Sequence, residues 1–287
     1  MTTLAATHSL REYSPGPLRA GWLIARRELR DAVLSRWFIL YTLAFAALGL
    51  SVSYVSAGGG LAGYGRTAAG LVNIVLLIVP LMALTAGAGL VAGDRERGTL
   101  AYLLAQPLGR WEALLGKYLG AAGALVACIC LGLGLCATVV ALSGRGAQPG
   151  VILWLGGLSI ALALGMLSVG TLLSVVVRRQ SAAIGAGVFI WLLLVFVSDL
   201  GLMAGTLSMK FRVETLYLLS LINPLQVFKM WSLHAGEATL DVLGPVGLYA
   251  AEEHGARLHL YFGLDLAAWI VLPLALAGVV FSRRNPV

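Results

Sequence analysis

Polar positions are sparse in this chain, and their spacing leaves six apolar stretches, at about residues 37–57, 68–92, 114–142, 150–177, 181–205 and 261–282. Crossing about 30 Å of hydrocarbon takes roughly 20 helical residues, so each stretch is long enough to span a membrane. Just ahead of the first stretch, residues 18–36 change pattern. Leu18, Trp22, Ala25, Leu29 and Val33 recur at helical spacing while Arg19, Arg26, Arg27 and Arg30 take other faces. That pattern predicts an amphipathic helix along the membrane interface, with Trp22 and Trp37 in the headgroup layer and Arg36 at the start of the first span.

Residues 93–118 interrupt the apolar pattern a second time. Asp94, Arg95, Glu96 and Arg97 put four charges in a row, Leu100, Leu103 and Leu104 follow at helical spacing, and Pro107, Leu108, Gly109 and Arg110 break the run. The pattern predicts a short helix over residues 99–106 that lies on the membrane surface, after which Arg110 and Lys117 return the chain to the bilayer. The third interruption, residues 206–260, is long enough for one or two short helices. Residues 216–221 are apolar but too short to span, which predicts a helix packed on or dipping into the interface and ended by Pro224. Its candidate contact residues are Asn223, Pro224, Lys229, Trp231 and His234.

Composition supports this division. At 59% hydrophobic and 11% charged residues, with a mean hydropathy of +0.90, the chain is far from the roughly one-quarter charged content of soluble domains. The 287 residues form one domain: a tail and interfacial helix (1–36), five spans (37–205), an outer segment (206–260), and a last span with its tail (261–287).

The net charge of +7 invites a nucleic-acid reading, but the placement of the charges follows membrane topology instead. Of the 20 Lys and Arg residues, 14 fall on the side of the N-terminus, where every connection carries at least two. The short connections on the other side carry one each. This asymmetry places both termini in the cytoplasm. The first twenty residues lack the apolar core of a signal peptide and read as a loose tail.

Several chemistries are excluded. Gly109 with Gly116-Lys117-Tyr118 has the wrong spacing for a phosphate loop and no Ser or Thr for magnesium, so the chain has no ATP hydrolysis of its own. Gly87-Ala88-Gly89 follows no strand and is no dinucleotide fingerprint. Ser, His and Asp form no triad compatible with the topology, and no catalytic residue is assigned. Met203, Met209, Met230, His234, His254 and His259 lean toward the outer side, but their spacing matches no ligand motif. Cys130 projects about 200° and Cys136 about 80° from Cys128 around their helix. They read as small buried residues, and the chain is assigned neither a metal site nor a cofactor.

Glycine pairs such as Gly116 with Gly120 and Gly185 with Gly187 mark close helix contacts. Pro80 is expected to bend the second span, and Asn73 to find a partner within the bundle. Asp199 and Asp265, near the outer ends of spans five and six, read as interfacial residues.

Together these elements resemble the ABC-2 type permease family over nearly the whole chain. Glu96, Arg97, Gly98, Thr99 and Leu100, followed by Leu103, Leu104, Gln106, Pro107 and Arg110, resemble the helix by which that family docks its ATPase. Trp22, Arg26, Arg27, Glu28 and Arg30 resemble its interfacial helix. Residues 179–183 opening a fifth span with Trp191 and Asp199, together with Leu221-Ile222-Asn223-Pro224, resemble the members that serve copper-site maturation of nitrous oxide reductase.

That resemblance implies an all-α integral membrane protein of the bacterial inner membrane, with six spans, an interfacial helix, a cytoplasmic coupling helix and a short helical periplasmic segment. It also implies a homodimer with two cytoplasmic ATPase subunits, which hold ATP and magnesium, and a periplasmic copper-binding protein on the outer segment. Motion would pass outward by export or by mechanical transmission. Export of a lipid, drug or polysaccharide, and a non-transporting membrane scaffold, are the alternative functions.

Overall fold

The computed structural model describes residues 17–57, 62–105, 109–142, 149–208, 217–218, 220–235 and 258–283. All regular structure among them is helical: α1 (Pro17–Val33), α2 (Arg36–Ala57), α3 (Ala62–Gly89), α4 (Ala92–Glu96), α5 (Thr99–Leu104), α6 (Arg110–Leu142), α7 (Pro149–Val176), α8 (Gln180–Ser208), α9 (Pro224–Ala235) and α10 (Leu258–Arg283). Five helical stretches among the described residues are long and apolar enough to cross a membrane, and α1 with α2 makes a sixth, bent by 63°. Ser35 forms that corner, its hydroxyl accepting the Phe38 N–H at 3.2 Å as an N-cap for α2. With Arg26, Arg27, Glu28, Arg30 and Asp31, α1 is too charged for hydrocarbon, so the corner turns an interfacial helix into a span.

α3 is the axis of the bundle. Of its most apolar window 67% is buried, against 11% for α8 on the flank. Lipid removes most of the hydrophobic drive between helices, so close packing must hold them together. The closest approach is between α3 and α7. A Cβ at Gly87 would lie 2.6 Å from the Leu167 carbonyl oxygen, and one at Gly170 would lie 2.5 Å from that of Leu84, so the two backbones touch. α1 rides on α6 in the same way, through Gly116 and Gly120. Two hydroxyls inside the bundle are satisfied across helix contacts: Tyr118 donates to the Leu164 carbonyl at 3.0 Å, and Ser168 to the Tyr118 oxygen at 3.1 Å.

The described part of the third interruption departs from expectation in its depth. As read from the sequence, helical residues 217–218 and 220–221 come to an end before Pro224. Pro224 then opens α9, whose Asn223 cap accepts the Leu225 N–H at 3.0 Å and donates to the Leu194 carbonyl of α8 at 2.7 Å. α9 lies within the bundle against α7 and α10, with Gln226, Val227, Phe228 and Met230 all buried. An apolar helix between spans keeps its backbone bonded internally, which is why it is tolerated there. Lys210, Arg212, Met209 and His254 lie outside the described residues, as do the side chains of Asp199, Met203 and His234.

Two further expectations are corrected. Cys128 and Cys136 are buried but Cys130 is exposed, because the roughly 200° turn that separates it from Cys128 carries it to the opposite face. Asn73 is exposed on the outer face of α3 and bonds to none of the described residues.

Candidate functional site

The segment between α3 and α6 is anchored at the end of the bundle where α1, the α7–α8 junction and the last turn of α10 also lie. It begins where α3 breaks, leaving the N–H groups of Val91 and Ala92 without intrahelical acceptors. Ser174 of α7 supplies one: its hydroxyl oxygen, fully buried, accepts both at 2.8 Å. Arg95 then donates to the Val177 carbonyl at 3.0 Å, and Glu96 accepts the first N–H of α8, from Gln180, at 2.8 Å. The short link from α7 to α8 is therefore held at both sides by consecutive residues of α4.

Gly98 follows at φ 72°, a left-handed conformation that glycine adopts without strain and that turns α4 into α5. Thr99 donates to Asp94 Oδ1 at 3.1 Å across the turn. Leu100 is buried and Leu103 packs against the core, so this edge of α5 faces the bundle. Ala101, Tyr102 and Ala105 face away, Tyr102 at 81% exposure. The Leu104 side chain and all of Gln106 and Pro107 lie outside the described residues. The chain returns at Arg110, which donates to the Ser282 carbonyl in the last turn of α10 at 2.8 Å, while the Trp111 ring packs against Gly278.

At the centre is Lys117. Its side chain is 7% exposed, and its ammonium lies 2.8 Å from Glu28 Oε2 of α1 and 2.7 Å from Asp94 Oδ2 of α4. A cation about two turns into α6 must be paired, and two carboxylates at hydrogen-bond distance meet that need. They would repel each other without it. Removing Lys117 leaves two uncompensated carboxylates in a largely dry site, whereas removing either carboxylate leaves a neutral pair.

Of the interfacial-helix residues singled out by sequence, Glu28 alone enters this cluster. Arg26, Arg27 and Arg30 face outward, Trp22 is 69% exposed, and the Arg27–Asp31 pair, at 3.6 Å and largely in solvent, contributes little. Beside the cluster, a cavity of about 860 Å³ opens between α1, α2, α3, α5 and α8. Its rim is charged (Arg27, Asp31, Arg97) and its depth apolar (Phe38, Met82, Val188).

At the opposite end, Asn223 is 5% exposed and Pro224 is buried beside it, which removes both from the outer surface of this chain. Trp231 packs edge-on against Trp154 and donates to His259 Nδ1 at 2.8 Å, and Lys229 is half-buried. Among the described residues no group of three His, Cys, Asp or Glu is arranged to hold a metal ion.

Sequence reasoning passed over Asp94, Lys117, Ser174 and Gln180 as site residues. One signal was present for Lys117, a lone cation inside the third apolar stretch.

A sequence profile described as "ABC-2 family transporter protein" matches residues 22–285. The chain is also 33% identical over 273 residues to a "Probable ABC transporter permease protein NosY" of Stutzerimonas stutzeri, covering 92% of this chain and 98% of that protein. It is 30% identical over 273 residues to the protein of the same description from Pseudomonas aeruginosa, with the same coverage of both chains.

Proposed function

This chain belongs to the ABC-2 family of transporter proteins, as a membrane-embedded permease subunit that works with a separate ATPase, and we propose that it passes the motion of that ATPase outward for copper-site assembly of nitrous oxide reductase. In this reading it sits in a bacterial inner membrane as a homodimer with both termini cytoplasmic. The ATPase dimer, holding ATP and magnesium, docks on α5, and a periplasmic copper-binding protein docks on the opposite end. The similarity to two permeases named NosY, over nearly their whole length, supports the subfamily.

One observation carries the mechanical part: Lys117 binds both Glu28 and Asp94, so the interfacial helix, the coupling segment and a span share one buried ion cluster. Because the same segment also bonds to the α7–α8 link and to α10, a push on α5 reaches most spans at once. Bodies joined in this way shift as units.

The docking face is Ala101, Tyr102 and Ala105, with Glu96 and Arg97 at its edge. Tyr102→Asp is expected to abolish co-purification with the ATPase, and cells carrying it should accumulate nitrous oxide reductase deficient in copper. Undiminished co-purification contradicts the docking face, and full copper content contradicts the maturation role.

The cavity of about 860 Å³ favours a second reading, export of an amphipathic substrate, because that volume lies in the range of small-molecule sites. ATP-dependent loss of such a compound from vesicles, with no effect on copper assembly, would select it.

A further inference from the structure

The ion cluster does not balance. Lys117 supplies one positive charge against the negative charges of Glu28 and Asp94, and among the described residues no other cation pairs with either carboxylate. One negative charge is left over, on side chains only 23% and 20% exposed. All three members line the cavity between α1, α2, α3, α5 and α8, so the surplus charge borders that space. A charge so placed calls for a counter-ion. The rim adds groups of the other sign. Arg97 is exposed and has no ion pair among the described residues, and Arg27 has only the weak, solvated pair with Asp31.

Below these charges the wall is apolar, and its depth has a definite length. From Gln180, where α8 begins, to Trp191 on the wall is about 16 Å along the axis, and from Leu81 on the wall to Gly89, where α3 ends, is about 12 Å. Half of a hydrocarbon core about 30 Å thick is about 15 Å. Ser35 and Trp37, at the corner where α1 leaves the interface, also line the space. The cavity is thus one leaflet deep, with both signs of charge at the interface.

We propose that the cavity holds one aminophospholipid of the adjoining leaflet as a resident ligand, its primary ammonium against Glu28 and Asp94, its phosphate against Arg97 and Arg27, and an acyl chain along Phe38 and Val188. A primary ammonium brings three N–H donors and the one positive charge that the cluster lacks. A quaternary ammonium has no such donor, and a purely anionic headgroup leaves the surplus charge in place. Basic pockets between spans ordinarily take anionic lipids, so the two carboxylates are what sets the choice here. The lipid fills the space between α1, the coupling segment and α8 as a fixed part of the bundle, unlike the exported compound of the second reading. The proposal rests on the reading above only for placing this end of the bundle at the cytoplasmic leaflet.

The test uses the full chain without its ATPase, in nanodiscs of equal parts phosphatidylethanolamine, phosphatidylcholine and phosphatidylglycerol, so that neither docking nor orientation enters. After extraction in mild detergent, mass spectrometry of the retained lipid is expected to show about one molecule per chain, with phosphatidylethanolamine enriched about tenfold. Glu28→Gln leaves the neutral pair of Lys117 and Asp94, so it should fold, as a thermal midpoint close to native would verify, and lose the enrichment. Ala86→Phe adds bulk at an exposed position on the cavity wall and should abolish retention of all three lipids. Enrichment that survives Glu28→Gln, equal retention of the three lipids by the native chain, or lipid still held by Ala86→Phe would each overturn the proposal. So would ATP-driven transfer of the held lipid to the other leaflet once the ATPase is added, because the lipid would then be cargo. A chain that holds the lipid yet binds no ATPase would sink the coupling role and leave this site standing.

Discussion

The Lys117 ammonium of α6 lies 2.7 Å from the Asp94 carboxylate of α4, so a span is bonded to the segment that precedes it by an ion pair inside the bundle. The pair spans a turn containing Gly98, all of α5 and the return at Arg110. With Glu28 as third member, it makes three separate pieces of chain one body.

Lys117→Met should therefore lower stability by about 3 kcal/mol, since it leaves two carboxylates facing each other in a largely dry site. The triple variant Lys117→Met, Glu28→Gln, Asp94→Asn should recover most of that loss, because neutral groups need no counter-ion. Unfolding in detergent, followed by tryptophan fluorescence, measures both. Equal losses in the two would mean that packing, and not charge, holds the site.

The α1–α6 contact makes a graded prediction. A Cβ at Gly120 would lie 2.5 Å from the Ala25 carbonyl oxygen, whereas one at Gly123 would meet only a Leu29 methyl at 3.4 Å. Gly120→Ala should cost about 2 kcal/mol by forcing backbones apart, and Gly123→Ala under about 0.5 kcal/mol. Thermal midpoints in the same detergent decide whether the order holds.

How much of this was visible in the sequence depends on the range of the forces involved. The spans were legible because every residue of a membrane helix meets hydrocarbon or packing, so the signal is continuous: α7, read as 150–177, runs Pro149–Val176. The turn of α1 was legible from its arginines. α9 was hidden, since Lys229 and His234 made residues 206–260 read as external while burial of Val227 and Phe228 depends on partners far away in sequence. The ion cluster was hidden for a similar reason, since nothing local ties Lys117 to Glu28, 89 positions earlier.

Ser174→Ala should be more damaging than any other buried hydroxyl removal. Ser159 and Thr171 donate to carbonyls of their own helices, which retain their helical bonds without them. Ser174 instead accepts two N–H groups that have no other acceptor, so its loss should cost about 2–4 kcal/mol. Hydrogen exchange at Val91 and Ala92 should rise selectively, and unchanged exchange there would contradict the assignment.

Asn223→Ala should destabilise by about 2 kcal/mol through loss of the α9 cap and of the bond to the Leu194 carbonyl. A surface contact residue would instead leave the thermal midpoint unchanged and weaken only partner binding, so measuring both separates the two roles.

The central claim, that one ion cluster carries ATPase motion to the far end of the bundle, is tested most directly by a distance between spin labels at Arg30 on α1 and Ile222 beside α9. In the complex with its ATPase, adding ATP should shift this distance in the native chain. In Lys117→Met it should stay fixed, although the ATPase remains bound and continues to hydrolyse ATP. The same shift with and without Lys117 would contradict the account.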